Sequence, residues 1–169
     1  MLHTLFEAVD QAISAPATRA IILTGKGKVF SAGADLEEAL NGLAIDPVWE
    51  RLSARVADAP CLTIAALNGT AAGGALGMVL ATDIRIAVPD ASFFYPVMKL
   101  GFLPQPSDPG RLTQLVGPAR AKLILMGGAR IDAKEAFAYG LVDRIAKDPL
   151  TTAYNLSKDV RQAESNHVA

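Results

Sequence analysis

Ala66-Leu67-Asn68-Gly69-Thr70-Ala71-Ala72-Gly73-Gly74-Ala75 holds the clearest pattern in this chain. The continuous apolar run of residues 61–67 enters it, and residues 75–82, apolar all round, leave it. A short unbroken apolar run bounded by turn residues reads as a strand covered on both faces. A helix apolar on every side reads as buried. The turn between them offers backbone N–H groups beside side chains too small to shield them. Taken alone, it serves equally well for tight helix–sheet packing through glycine.

A second turn of this kind lies upstream, at Lys28-Val29-Phe30-Ser31-Ala32-Gly33-Ala34-Asp35-Leu36. It follows the apolar run of residues 20–24 and opens a short helix over residues 35–40. On its own it favours a plain strand-to-helix turn with Asp35 as the cap. Free amides at a helix start attract negative charge. Two such turns can aim two N–H groups at one oxygen, which is what stabilising an enolate or a tetrahedral oxyanion requires.

The rest of the chain alternates between strand and helix. Leu2, Phe6, Val9 and Ile13 recur at helical spacing, so residues 2–14 read as an amphipathic helix ended by Pro16. Residues 47–58 read as a helix with Pro47 near its start. Residues 84–88 and 92–95 read as strands. Residues 103–110 contain Pro104, Pro106 and Pro109 and read as an irregular loop. Residues 118–126 and 132–139 read as helices, the second capped by Asp132 and closed by Gly140. The tail from Pro149 is weakly patterned. The class is α/β with βαβ crossovers in one domain.

Together the two turns resemble the paired signatures of the crotonase (enoyl-CoA hydratase/isomerase) superfamily, in order and separation. Asp83-Ile84-Arg85-Ile86-Ala87, Pro96 with Leu100-Gly101 and Pro104, and Gly140-Leu141-Val142-Asp143 resemble the segments that follow. The resemblance runs from about residue 2 to about residue 145. It implies a crotonase-like (ClpP/crotonase) spiral of βαβ units, with residues 1–145 as the core domain. Residues 146–169 would be part of a longer C-terminal helical region, and the family's first strands would precede residue 2. It also implies a lyase or isomerase of fatty acid metabolism acting on an acyl-CoA thioester, assembled as a homotrimer or hexamer. Coenzyme A would be part of the substrate, with no separate cofactor. By position the oxyanion donors are the N–H groups of Ala34 and Gly74. Ala32, Asp35, Leu36 and Gly73 would lie along the substrate; Lys26 and Lys28 could meet its phosphates, although lysines flanking a turn are more often merely solvated.

The chain also departs from that pattern. Hydratases of the family use two glutamates, and the matching positions are Gly77 and Val97. Neither residue can carry a proton, so two-glutamate hydration is not expected. An isomerase carboxylate would fall near Gln105, which is not a base. The one acid of that loop is Asp108. A carboxylate near a thioester α-carbon could move a proton, and burial would raise its pKa usefully. Ser107-Asp108-Pro109-Gly110 is also an ordinary turn sequence, and that reading is preferred. The alternative to an enzyme is a non-catalytic acyl-CoA binder or degenerate paralogue.

Composition supports these expectations by exclusion. The 169 residues carry a formal net charge of -1, which gives no broad surface for nucleic acid. The longest apolar stretch is broken by Asn68 and glycines, so no membrane span is expected. The first residues lack a basic leader, and the single Cys61 allows no internal disulfide, so a cytoplasmic protein is expected. His3 and His167 are the only histidines, which leaves no serine triad and no metal cluster in view. A G-x-G-x-x-G fingerprint and a P-loop are both missing. Asp83 is expected to order backbone or pair with Arg85.

Overall fold

A computed structural model describes residues 1–164, with all their side chains except those of Leu36 and Leu40. His167 therefore lies outside the described residues. The strands are β1 (Ala20–Thr24), β2 (Leu62–Leu67), β3 (Ala71–Ala72), β4 (Ile84–Ala87), β5 (Ser92–Phe94), β6 (Ile131–Asp132) and β7 (Arg144–Ile145). The helices are α1 (Leu2–Ser14), α2 (Leu36–Leu40), α3 (Val48–Ala57), α4 (Ala75–Ala81), α5 (Val97–Leu100), α6 (Asp108–Val116), α7 (Pro118–Leu125), α8 (Ala133–Tyr139), α9 (Pro149–Leu156) and α10 (Lys158–Gln162). A 3-10 turn covers Leu43–Ile45.

One sheet runs in the order β1-β2-β4-β7, with every pair parallel. A smaller sheet runs β3-β5-β6, parallel and then antiparallel. In β2, Ile64 and Ala66 face one way and Ala65 and Leu67 the other, and all four are fully buried. Ile64 and Ala66 pack with Ile86 and with Ala153 of α9. Ala65 and Leu67 join the main core. Both faces of the strand are covered, as its unbroken apolar run predicts.

The short helix α4 lies between two cores. Ala75, Met78 and Ala81 pack with Leu2 and Val9 of α1 and with Val48, Leu52 and Val56 of α3. Leu76, Val79 and Leu80 pack with Phe93, Leu112 and Ile124. Each buried aliphatic side chain of this size contributes roughly 1.5–3 kcal/mol. Seven residues of such a helix would not hold in water alone.

Local chemistry sets the ends of α8. Asp132 and Glu135 form a reciprocal capping box, with the Glu135 N–H donating to Asp132 at 2.8 Å. Gly140 closes the helix in the left-handed region at φ 85°. Asp83 does order backbone: its carboxylate accepts from the Thr63 N–H at 2.7 Å and the Thr63 hydroxyl at 2.8 Å. Arg85 is held at 2.9 Å by Asp143 instead.

Two expectations need correction. Residues 103–110 are not loop throughout, because α6 starts at Asp108 and continues to Val116. Pro109 stands in the first turn, where the missing N–H has no helical partner to lose. The turn of residues 69–74 contains β3, whose two residues are too few to show a strand period. In the tail, α9 is started by Asp148, which accepts from the Thr151 N–H at 2.9 Å, and α10 follows it.

Gly69 is where the two signature segments press together. A Cβ on Gly69 would lie 2.1 Å from the carbonyl oxygen of Lys28, so one backbone would have to move. Gly69→Ala should lower stability by roughly 2–3 kcal/mol, which denaturant titration would detect. A loss within roughly 0.5 kcal/mol would show that this contact is not needed.

Candidate active site

Because β1 and β2 pair in parallel from Ala20↔Leu62 to Thr24↔Ala66, the turns after them leave the sheet at the same end. Asn68 ties them together. Its Oδ1 accepts from the Gly25 N–H at 3.0 Å, and its Nδ2 donates to the carbonyls of Gly27 and Val29 at 2.9 and 3.1 Å. The Phe30 and Ser31 N–H groups donate to the Thr70 carbonyl, and the Ala72 N–H donates to the Ser31 carbonyl at 2.9 Å. Ser31 and Ala71 form a parallel bridge.

The turns meet at Gly33 and Gly73. A Cβ on either would sit 3.7 Å from the other's Cα, and the φ angles are 95° and 59°. Only glycine adopts such a backbone without strain. The Gly33 N–H donates to Ser31 Oγ at 3.3 Å, and the Gly73 N–H donates to the Phe94 carbonyl at 3.1 Å. The next residues are Ala34 and Gly74. Among the described residues, neither of their N–H groups donates to a protein acceptor.

Ala34 and Gly74 both line a cavity of about 390 Å³ with Ala32, Gly33 and Gly73. Trp49 forms one wall, and a Cβ on Gly74 would come within 3.1 Å of its ring. The indole N–H is engaged, donating to the Leu43 carbonyl at 2.9 Å. A wider hollow of about 1320 Å³ shares Ala32, Gly33, Ala34 and Trp49 with that cavity. Asp35 borders that hollow and caps α2 by accepting from the Glu37 and Glu38 N–H groups. Leu36 opens α2, and its side chain lies outside the described ones. Lys26 and Lys28 are exposed.

Val97 also lines the first cavity, and Gly77 lies in buried α4. Asp108 is not the exposed turn acid that Ser-Asp-Pro-Gly suggests. It is fully buried at the start of α6. A Cβ on Gly77 would lie 2.8 Å from Asp108 Oδ1, so the carboxylate fills space that a side chain at 77 would need. Asp108 Oδ2 accepts the Tyr95 hydroxyl at 2.8 Å, while Oδ1 has no partner among the described residues. Burial pushes the Asp108 carboxyl up to about 6; the Glu50 charge adds to this, while the Tyr95 hydrogen bond and Arg111 oppose it.

Sequence reasoning missed Tyr95, Glu50 and Trp49. Tyr95 and Trp49 line the cavity. Glu50, on α3, accepts from the backbone N–H of Ser107 at 3.1 Å and from its hydroxyl, which fixes the entry to α6. Arg111 reaches back to Ser53 Oγ at 2.9 Å. Tyr95 meets Asp108 from the segment after β5, and Glu50 reaches the start of α6 from α3. Among the described residues, no three His, Cys, Asp or Glu side chains gather as a metal site, and no helix is long and apolar enough to cross a membrane.

Known proteins resemble this chain in sequence and in fold. The family model described as enoyl-CoA hydratase/isomerase matches residues 1–168. The Mycobacterium tuberculosis protein named "Probable enoyl-CoA hydratase EchA14" is 39% identical over 163 residues, covering 93% of this chain and 63% of the relative. A carnitinyl-CoA dehydratase of Citrobacter koseri is 40% identical over 135 residues, covering 77% of this chain and 52% of the relative. The crystal structure of an enoyl-CoA hydratase from Bacillus anthracis superposes with a TM-score of 0.89 at 32% identity, covering 99% of this chain and 68% of that one. Pseudomonas aeruginosa DspI gives a TM-score of 0.90 at 30% identity, covering 99% and 67%. The chain thus spans less than two thirds of the length of these two curated relatives.

The raised Asp108 pKa makes stability depend on pH. From the usual 3.8 to about 6, the folded chain keeps a proton that the unfolded chain has released. Asp108 therefore makes stability fall as pH rises through that window, by roughly 3 kcal/mol at most, with no further change above it. Asp108→Asn keeps an acceptor for Tyr95 and cannot ionise. Denaturant titration across this window should show the variant gaining on the parent as pH rises. A constant difference would mean that Asp108 does not titrate there.

Proposed function

Since the chain belongs to the enoyl-CoA hydratase/isomerase family, we propose that it binds an acyl-coenzyme A thioester and points the carbonyl oxygen at the N–H groups of Ala34 and Gly74. The observation that carries this reading is the abutment of the two turns at Gly33 and Gly73, which leaves the next amide of each turn without a protein acceptor at one cavity. In the reading, the acyl group occupies the smaller cavity beside Gly73 and Trp49. The coenzyme follows the wider hollow past Ala32, Asp35 and Leu36. Coenzyme A is then part of the substrate. The same reading carries a cytoplasmic homotrimer or hexamer.

Two amides fixed before the reaction would stabilise negative charge as it develops on the thioester oxygen, with no cost of reorganisation at that moment. The α-proton becomes acidic and an enolate forms. Two-glutamate hydration does not fit, because Gly77 and Val97 offer no proton carrier. Asp108 is the acid set closest to the vacant position at 77, so the reading assigns the proton to its carboxyl and the reaction to a lyase or isomerase. The missing glutamates favour one rival, a non-catalytic acyl-CoA binder.

Calorimetric titration with a non-reactive acyl-CoA thioether tests the binding half. Micromolar affinity is expected, and no binding at millimolar ligand would end the reading. Ala34→Pro tests the oxyanion half by deleting one donor. Deuterium uptake at the acyl α-carbon should fall roughly 10²–10³-fold in a folded variant. Unchanged uptake would remove Ala34 from the mechanism, and binding without uptake in the parent would favour the rival.

A further inference from the structure

Asp108 is fully buried and does not line the cavity, so a proton can reach it only through another group. Tyr95 is that group by position. It follows β5, lines the cavity, is 3% exposed, and donates its hydroxyl to Asp108 Oδ2 at 2.8 Å. The Gln105 N–H approaches the same phenol oxygen at 3.4 Å, holding the ring end in place. From α4, Gly77 lies against the carboxylate. The charged groups facing it are Glu50 from α3 and Arg111 from its own helix.

We propose that Tyr95 is the catalytic acid–base of the cavity, relaying a proton between the substrate α-carbon and Asp108. This rests on the acyl-CoA reading above. As the α-carbon–hydrogen bond breaks, its proton passes to the Tyr95 oxygen while the phenol proton passes to Asp108 Oδ2. The electron pair of that bond enters the enolate, whose oxygen is held by the Ala34 and Gly74 amides. Tyr95 ends neutral, Asp108 ends protonated, and one negative charge has moved from carboxylate to enolate. The reverse passage delivers the proton to carbon, on the same atom or on a conjugated one, and no further reactant is consumed. Burial and the neighbouring Asp108 charge raise the Tyr95 pKa, so the phenol rests protonated and works as a relay, not as a phenolate. Asp108 is the positioning residue and proton store behind it.

Deuterium uptake at the α-carbon of butanoyl-CoA and decanoyl-CoA, followed by NMR in deuterium oxide, tests the relay. Tyr95→Phe should bind the matching thioether as the parent does and lose at least about 100-fold in uptake. Asp108→Asn can still accept the Tyr95 hydrogen bond but cannot accept its proton. It should lose uptake comparably, together with the limb of the pH profile that rises to a plateau above about 6 in the parent. Uptake within about threefold of the parent in either folded variant would overturn the relay, as would a parent that binds the thioether yet takes up no deuterium. A parent that fails to bind the thioether would instead bring down the acyl-CoA reading, and the relay with it.

Discussion

The site depends on one contact, the approach of Gly33 to Gly73. A Cβ on Gly33 would crowd the Ala72 carbonyl oxygen at 3.1 Å, and a side chain at either position would strain a backbone at positive φ. Everything around the contact serves to hold it. Parallel pairing of β1 with β2 brings the turns to the same end of the sheet. Asn68 pins the first loop through three backbone groups, and the Ser31–Ala71 bridge carries the pairing on into the turns themselves. The preceding amides, of Gly33 and Gly73, are occupied by local acceptors. Ala34 and Gly74 come next, facing a cavity whose walls are mostly apolar residues such as Trp49, Val97 and Phe102. In such surroundings a donor interacts more strongly with developing charge than it would in water.

Beneath this frame, Gly77 and Asp108 form a matched pair. The space that a side chain on α4 would fill is taken by a carboxylate from α6. An unpaired buried carboxylate is costly, and the chain answers in two ways. Tyr95 donates a hydrogen bond to one oxygen, and the raised pKa brings the neutral form within reach near neutral pH. The second oxygen has no partner among the described residues, which marks a place where packing alone does not explain the residue.

The strands β1 and β2 were legible from the sequence, because they carry continuous apolar runs that no amphipathic helix would show. Both turns were legible too, since small residues between a buried strand and a helix leave few other readings. Asp132 and Gly140 announced the ends of α8 by cap chemistry. The helix α6 was hidden by Pro104, Pro106 and Pro109, although a proline in a first helical turn is no obstacle. The two-residue strands β3, β6 and β7 are shorter than any detectable period. Tyr95 and Glu50 gave no local signal at all. Tyr95 matters through its hydrogen bond to Asp108 and Glu50 through its hold on Ser107, contacts between separate elements that no spacing rule encodes.

The wholly parallel order β1-β2-β4-β7 has a kinetic side. Parallel neighbours cannot be joined by a tight hairpin, so each pairing waits for an intervening segment to be laid down first. The turn contact itself joins residues about forty positions apart, and Arg85 meets Asp143 over a longer span still. Chains dominated by such long-range pairings fold slowly, because loop closure must precede the contacts that reward it. The meeting of the two turns therefore carries the entropy of closing a loop of about forty residues, which no local contact repays on the way.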